Sequence, residues 1–157
     1  MFELRPSFTR GPCTEWPTVK RWSYCRGCGH EARGLRVHPA TVYTQRMVAL
    51  MTVCRACEAV LRVRQSLLAG QVQLIESGLT QRAIVRGTRH HVRRGLTLQQ
   101  VLERIGPQVR RRFTEAEALE GLAELEGQTT LPSIALPTEV VVVFTRFHDW
   151  QVPPEAS

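Results

Sequence analysis

Two Cys-x-x-Cys pairs, Cys25/Cys28 and Cys54/Cys57, stand with 25 residues between them in a chain of 157. No other feature constrains the fold as much. If the pairs converge, the loop between them is pinned at both ends and residue 57 must return beside residue 25. A redox dithiol needs one such pair, whereas a tetrahedral ion needs two. The glycines in "CRGCGH", Gly27 and Gly29, allow a tight knuckle whose amides turn toward sulfur. The expected ligands are therefore Cys25, Cys28, Cys54 and Cys57, holding one structural Zn²⁺ per chain. His30 and Cys13 are the substitute ligands the sequence offers, but His30, two residues past Cys28, is poorly placed if all four thiols bind, and Cys13 reads as an unpaired core or surface thiol.

The compartment supports metal over disulfide. "MFELRPSFTRGP" has no apolar signal core, and no apolar run approaches the length of a membrane span. A cytoplasmic chain with no membrane partner is expected, and thiols stay reduced there.

Between the pairs, "GLRVHP" (34–39) and "RMVALMTV" (46–53) read as the strands of a hairpin. After Cys57, Val60, Leu61, Leu67, Leu68, Val72 and Ile75 fall near a helical stripe, so a helix is expected over 58–76. Knuckle, hairpin, second pair and helix is the order of a treble-clef zinc finger. The fold class is α+β: an N-terminal segment (1–22), a treble-clef-like zinc module (23–76), a basic then acidic helical region (77–127), and a loop, short strand and tail (128–157).

"ALMTVCRACEAV" (49–60) resembles the end of the HNH endonuclease motif in its zinc-bearing form. Leu50, Val53, Cys54 and Cys57 match it, and His38 in "RVHP" is in register for the general base. The motif's Asn falls on Ala49, Glu58 follows the last cysteine, and Val37 precedes His38. The resemblance covers about 40 residues, mostly zinc scaffold, and implies a shared fold. The missing residues are those that would hold a catalytic divalent ion and orient the base. Nuclease activity is thus the least favoured reading, and no catalytic residue is assigned.

The net charge is +7, with a pI near 9.9. Residues 1–113 carry 20 of the 21 Lys+Arg, while 114–157 carry 8 of the 14 Asp+Glu. Lys20 is the only lysine, so arginine usage partly reflects overall composition. A basic body still points to an acidic partner, nucleic acid first. Gly-Leu-Thr occurs at 78–80 and 95–97, each Thr placed to cap a helix, and helices are expected at about 80–93 and 97–105. "LTQRAIVRGTRHHVRRG" resembles a helix-turn-helix. The candidate phosphate contacts are Arg82, Arg86, Arg89, Arg93 and Arg94, with Arg110, Arg111 and Arg112 of "RRRF". Positions 82, 86, 89 and 93 share one helix face.

"TEAEALEGLAELEG" (114–127) reads as an acidic helix with a Thr114/Glu117 capping box. "VVVVF" (140–144) reads as a strand buried on both faces, pairing with "MFELRP" or with a partner's sheet. The leading expectation is a zinc-stabilised nucleic-acid-binding protein, acting through arginine-rich helices over 80–112. The alternative is an adaptor or inhibitor that contacts a protein machine through 114–126 or through 140–150, the latter by strand addition.

Overall fold

The computed structural model describes residues 18–19, 22–32, 34–41, 48–127 and 136–150. Cys13 and most of the N-terminal segment, the loop over 128–135 and the tail after Trp150 lie outside them. Among the described residues no helix is long and apolar enough to cross a membrane. The class is α+β, with small antiparallel sheets and five α-helices among the described residues.

The first half is built around the expected hairpin. β1 (Thr18–Val19), β4 (Leu35–Thr41) and β5 (Val48–Val53) form one antiparallel sheet, in the order β1-β4-β5. Arg36 stands opposite Val53, and His38 opposite Met51. β2 (Ser23–Tyr24) and β3 (Glu31–Ala32) form a separate two-stranded ribbon around the first cysteine pair. Two bonds tie this ribbon to β5: Arg26 N–H donates to Thr52 O (2.8 Å), and the Thr52 hydroxyl donates to Tyr24 O (3.1 Å).

The long helix expected over 58–76 is broken twice. α1 (Arg55–Leu61) stops at Arg62, whose backbone leaves the helical region, and α2 (Val63–Leu68) follows. The Ser66 hydroxyl donates to the Ala59 carbonyl (2.8 Å), a group at the break, while the Arg62 carbonyl accepts from the Ser66 backbone N–H (3.0 Å). Gly70, at φ 71°, then ends α2 in a left-handed conformation that favours glycine. Beyond it "VQLIES" is not helical but a strand, β6 (Val72–Ser77). Its β-branched and alternating residues suit a strand with both faces covered.

β6 is the centre of a second sheet, ordered β7-β6-β8, with β7 (Val109–Arg112) and β8 (Val140–Phe144) antiparallel to it. "VVVVF" therefore pairs with β6, Val72 opposite Phe144 and Glu76 opposite Val140, while "MFELRP" lies outside the described residues. The arginines at 110–112 lie on a strand, not on a helix. Both faces of β6 and β8 are buried, whereas β7 is largely exposed. Val72, Leu74, Val142 and Phe144 pack into the core that contains the four cysteines, while Ile75, Val141 and Val143 pack with Ile84 on the other side. The expected boundary at 76/77 thus falls within a strand, and the cysteine region shares one apolar core with β8.

α3 (Gln81–Arg93) and α4 (Leu98–Ile105) start at the expected caps. The Thr80 hydroxyl accepts from Ala83 N–H (3.1 Å), and Thr97 makes a reciprocal capping box with Gln100. α3 is one unbroken helix, so "LTQRAIVRGTRHHVRRG" contains no internal turn. It closes at Gly95 (φ 90°), where Gly95 N–H donates to Val92 O and Leu96 N–H to His91 O.

α5 (Glu115–Gly127) carries the expected Thr114/Glu117 box and buries Ala118 and Leu122. Its ion pairs run to Arg64 of α2, through Glu126, and to Arg111, through Glu117. The acidic helix therefore does not pair with the arginines of α3. At the end of the described chain, the rings of Phe144, Phe147 and Trp150 pack on one another with centroids 4.9–5.4 Å apart, and all three are buried. They are core and not an exposed docking patch.

Candidate metal centre

The first knuckle is closed by its own backbone. Cys25 N–H donates to His30 O and Gly29 N–H to Cys25 O, both at 2.8 Å. The two glycines are required by what lies against them. A Cβ on Gly27 would stand 2.7 Å from Cys57 Sγ, and Gly29, at φ 78°, has the Arg82 guanidinium across it at 2.7 Å from such a Cβ.

The second pair sits on a helix start. Cys54 is the N-cap of α1, and its sulfur accepts from Cys57 N–H at 3.4 Å. Cys54 N–H in turn donates to Cys25 Sγ at 3.3 Å. The hairpin delivers Cys54 from β5 to the knuckle, and the first turn of α1 adds Cys57.

All four thiols are buried, and their sulfurs lie within 4.8 Å of one another. The four cysteines are placed to bind one metal ion. Cys28 and Cys54 Sγ are 3.7 Å apart. That is far beyond a disulfide bond. Four sulfurs at about 2.3 Å from a central ion stand about 3.8 Å apart in a tetrahedron.

The thiols perturb one another. Hydrogen bonds from Cys25, then Cys54 and Cys57, with Arg89 adding to them, hold Cys28 far below the ordinary thiol value. Cys57 is driven up by its bonds to Cys25, Cys28 and Cys54, and Cys54 rises through Cys25 and Cys28. Sulfurs this close cannot all ionise without a cation among them, which is what a bound metal supplies.

Arg89 is the residue that sequence reasoning placed wrongly. It is only 5% exposed and does not belong to the open arginine face. Its Nη1 donates to Cys28 Sγ (3.2 Å) and its Nη2 to Cys54 Sγ (3.0 Å), one sulfur from each pair. Burial works against its charge, and the Cys54 and Cys28 sulfurs more than offset that, so its pKa is raised. A buried guanidinium needs an anion. Among the described residues none of the ion pairs includes Arg89, so the sulfur cluster fills that role. A signal was present: Val85 and Val92 flank Arg89 at helical spacing, on the buried side of α3.

The other predicted phosphate contacts separate into two groups. Arg82, Arg86, Arg93 and Arg94 are exposed on α3 or at its end, and among the described residues none is paired with a carboxylate. Arg93 is pushed down in pKa by burial and by the Arg89 charge behind it. On β7, Arg110 is paired with Glu139 (2.8 Å) and Arg111 with Glu117 (2.5 Å), while Arg111 also lies over the Phe113 ring. Arg112 is exposed on the same strand. The structure brings together the α3 arginines and the cysteine cluster, with Arg89 as the link.

Gln81 was not anticipated either. Its side-chain amide donates to Val142 O (2.8 Å) and accepts from Val142 N–H (2.7 Å). It thereby occupies the outward-facing N–H and C=O of Val142, at the middle of β8, two of the groups that a strand added at this edge would use.

Comparison with known proteins finds no matching family model, curated protein or solved structure.

Proposed function

We propose that this chain is a zinc-stabilised nucleic-acid-binding protein with a regulatory or accessory role and no catalytic centre of its own. The bound ion in this reading is Zn²⁺. A closed shell of four thiolates suits zinc and leaves no ligand position for a reacting water, so the metal is structural. Knuckle, hairpin, and a second pair at a helix start is treble-clef order, with α1 as the helix. The HNH resemblance is then one of scaffold.

One observation carries the reading. Arg82, Arg86, Arg93 and Arg94 stand exposed without carboxylate partners among the described residues, on a helix whose Arg89 is anchored in the sulfur cluster. Unpaired guanidiniums on a rigid helix give bidentate phosphate contacts at little cost in ordering. Arg112 extends the basic surface from β7, and Arg110 and Arg111 would have to exchange carboxylate for phosphate. The adaptor alternative loses ground at 140–150, where Gln81 covers β8 and the aromatics are buried. It retains the exposed glutamates of α5, Glu115, Glu120 and Glu124.

The test is duplex and single-strand DNA and RNA binding by fluorescence anisotropy, on zinc-quantified protein, across a salt series. If the four exposed arginines of α3 all meet phosphates, the log–log salt slope on a duplex is about −4. Binding that is absent at low salt would overturn the reading and turn attention to the acidic face of α5.

A further inference from the structure

We propose that the concavity between the Cys28–His30 turn and α3 is a seat for a single phosphate group. Its volume is about 210 Å³, and its α3 wall is Arg86, Arg89, His90 and Arg93. The proposal deepens the nucleic-acid reading and rests on it for the natural source of the phosphate.

Three observations support a built site over a merely solvated helix face. First, the lining is predominantly cationic, with the Cys28 thiol its one acidic group. Three guanidiniums and two imidazoles meet there, and no carboxylate is among the lining residues. Second, Arg89 is 95% buried by its 5% exposure, and its Nε has no acceptor among the described residues although both Nη groups are engaged. A buried donor left without an acceptor keeps the guanidinium charge only partly compensated, and that residual charge acts on the concavity that Arg89 lines. Third, the seat is held from behind. The sulfurs fix Arg89, and the backbone bonds of the knuckle fix Gly29 and His30. Only Arg86, Arg93 and His90, which are exposed, need to reorient around a ligand.

Size sets the ligand class. Pockets for drug-sized molecules run to about 300–1,000 Å³. The present volume suits a phosphate with a few waters and leaves no room for a nucleoside as well. Charge sets the preference for a dianion or a phosphodiester over a neutral group. A four-thiolate site with a divalent ion is itself anionic, and its Cys28 lines the seat, but Arg89 donates to Cys28 and Cys54 and offsets part of that charge. Two sources share this chemistry: a backbone phosphodiester of nucleic acid, and a terminal phosphate at a strand end.

The experiment uses the full metal-loaded chain, nitrogen-15-labelled, titrated with inorganic phosphate at ionic strength held constant with chloride. Saturable shifts are expected at Gly29, His30, His90 and the side-chain Nε of Arg86, Arg89 and Arg93. Arg86→Gln and Arg93→Gln should each weaken phosphate about tenfold, while Arg146→Gln, the same charge removed from an exposed site elsewhere, should not. Displacement of phosphate by a duplex without terminal phosphates identifies the backbone as the source. Displacement only by the same duplex carrying 5′-phosphates identifies strand ends. Absence of saturation, or shifts unchanged in Arg86→Gln and Arg93→Gln, overturns the seat. Duplex binding without any saturable phosphate shift at these resonances overturns the seat while the wider reading stands. Phosphate saturation with no binding of either duplex or of single strands at low salt supports the seat and overturns the wider reading.

Discussion

Arg89 Nη2 lies 3.0 Å from Cys54 Sγ, so a side chain from the middle of α3 reaches the cap of α1, 35 residues earlier in sequence. The same guanidinium reaches Cys28, which makes the metal centre and the arginine helix one structural unit. Partners of this kind tune metal affinity by about 10–100-fold. Arg89→Ala should therefore lower metal affinity by about that factor, measured by competition with a chromophoric chelator. Arg89→Lys keeps the charge but loses the fork, and should fall between the two. Equal affinity in all three proteins would mean that the sulfurs do not need the guanidinium.

The knuckle glycines give a sharper steric test. A Cβ at position 27 would stand 2.7 Å from Cys57 Sγ, a distance that forces the sulfur or the turn to move. Gly27→Ala should loosen the metal and lower the melting temperature of the loaded protein. Gly87, in the interior of α3, has nothing within 4 Å of an added Cβ and no positive φ. Gly87→Ala should stabilise by about 0.5–1 kcal/mol, because glycine costs that much in a helix. Calorimetry of the two variants side by side decides it: both shifts of the same sign would contradict the steric account.

Much of this architecture was legible because it is local. The thiol spacing, the caps at Thr80, Thr97 and Thr114, and the hairpin strands each follow from residues a few positions apart. Two misreadings depended on long-range partners. Val72 and Ile75 looked helical by periodicity, but Gly70 ended the helix and β8, some 70 residues later, supplied a strand to pair with. Arg89 looked like part of a basic strip because 82, 86, 89 and 93 recur at helical spacing. Only the fold shows that position 89 turns toward the sulfurs. No local rule signals that a buried arginine's counter-charge is a thiolate cluster.

Glu117 offers a prediction in pH. Hydrogen bonds from the Thr114 backbone, then the Arg111 side chain and the Thr114 hydroxyl, hold its carboxyl below the ordinary value of 4.5. A depressed folded-state pKa contributes stability above the unfolded value, and that contribution is lost as pH falls through the folded one. Glu117→Gln should therefore lower the urea midpoint at neutral pH, and the gap to the parent should close as pH drops below 4.5. Parallel urea curves for the two proteins, taken down the acid range, check it. A gap that stays constant with pH would assign the loss to packing and not to charge.

Gln81 is the most exacting case, because it links folding to assembly. Its amide makes both hydrogen bonds that Val142 offers away from β6. Gln81→Ala removes two bonds at a partly buried site, at a cost of about 1–3 kcal/mol. It also leaves the N–H and C=O of an edge strand open to another chain. Two effects are expected together: a lower melting temperature, and concentration-dependent self-association seen by light scattering. Gln81→Glu separates them. The carboxylate can still accept from Val142 N–H but cannot donate to its carbonyl, and its charge opposes the approach of another strand. That variant should be destabilised yet remain monomeric. If Gln81→Ala also stays monomeric at high concentration, the edge is protected by something other than Gln81, and the side chain serves stability alone.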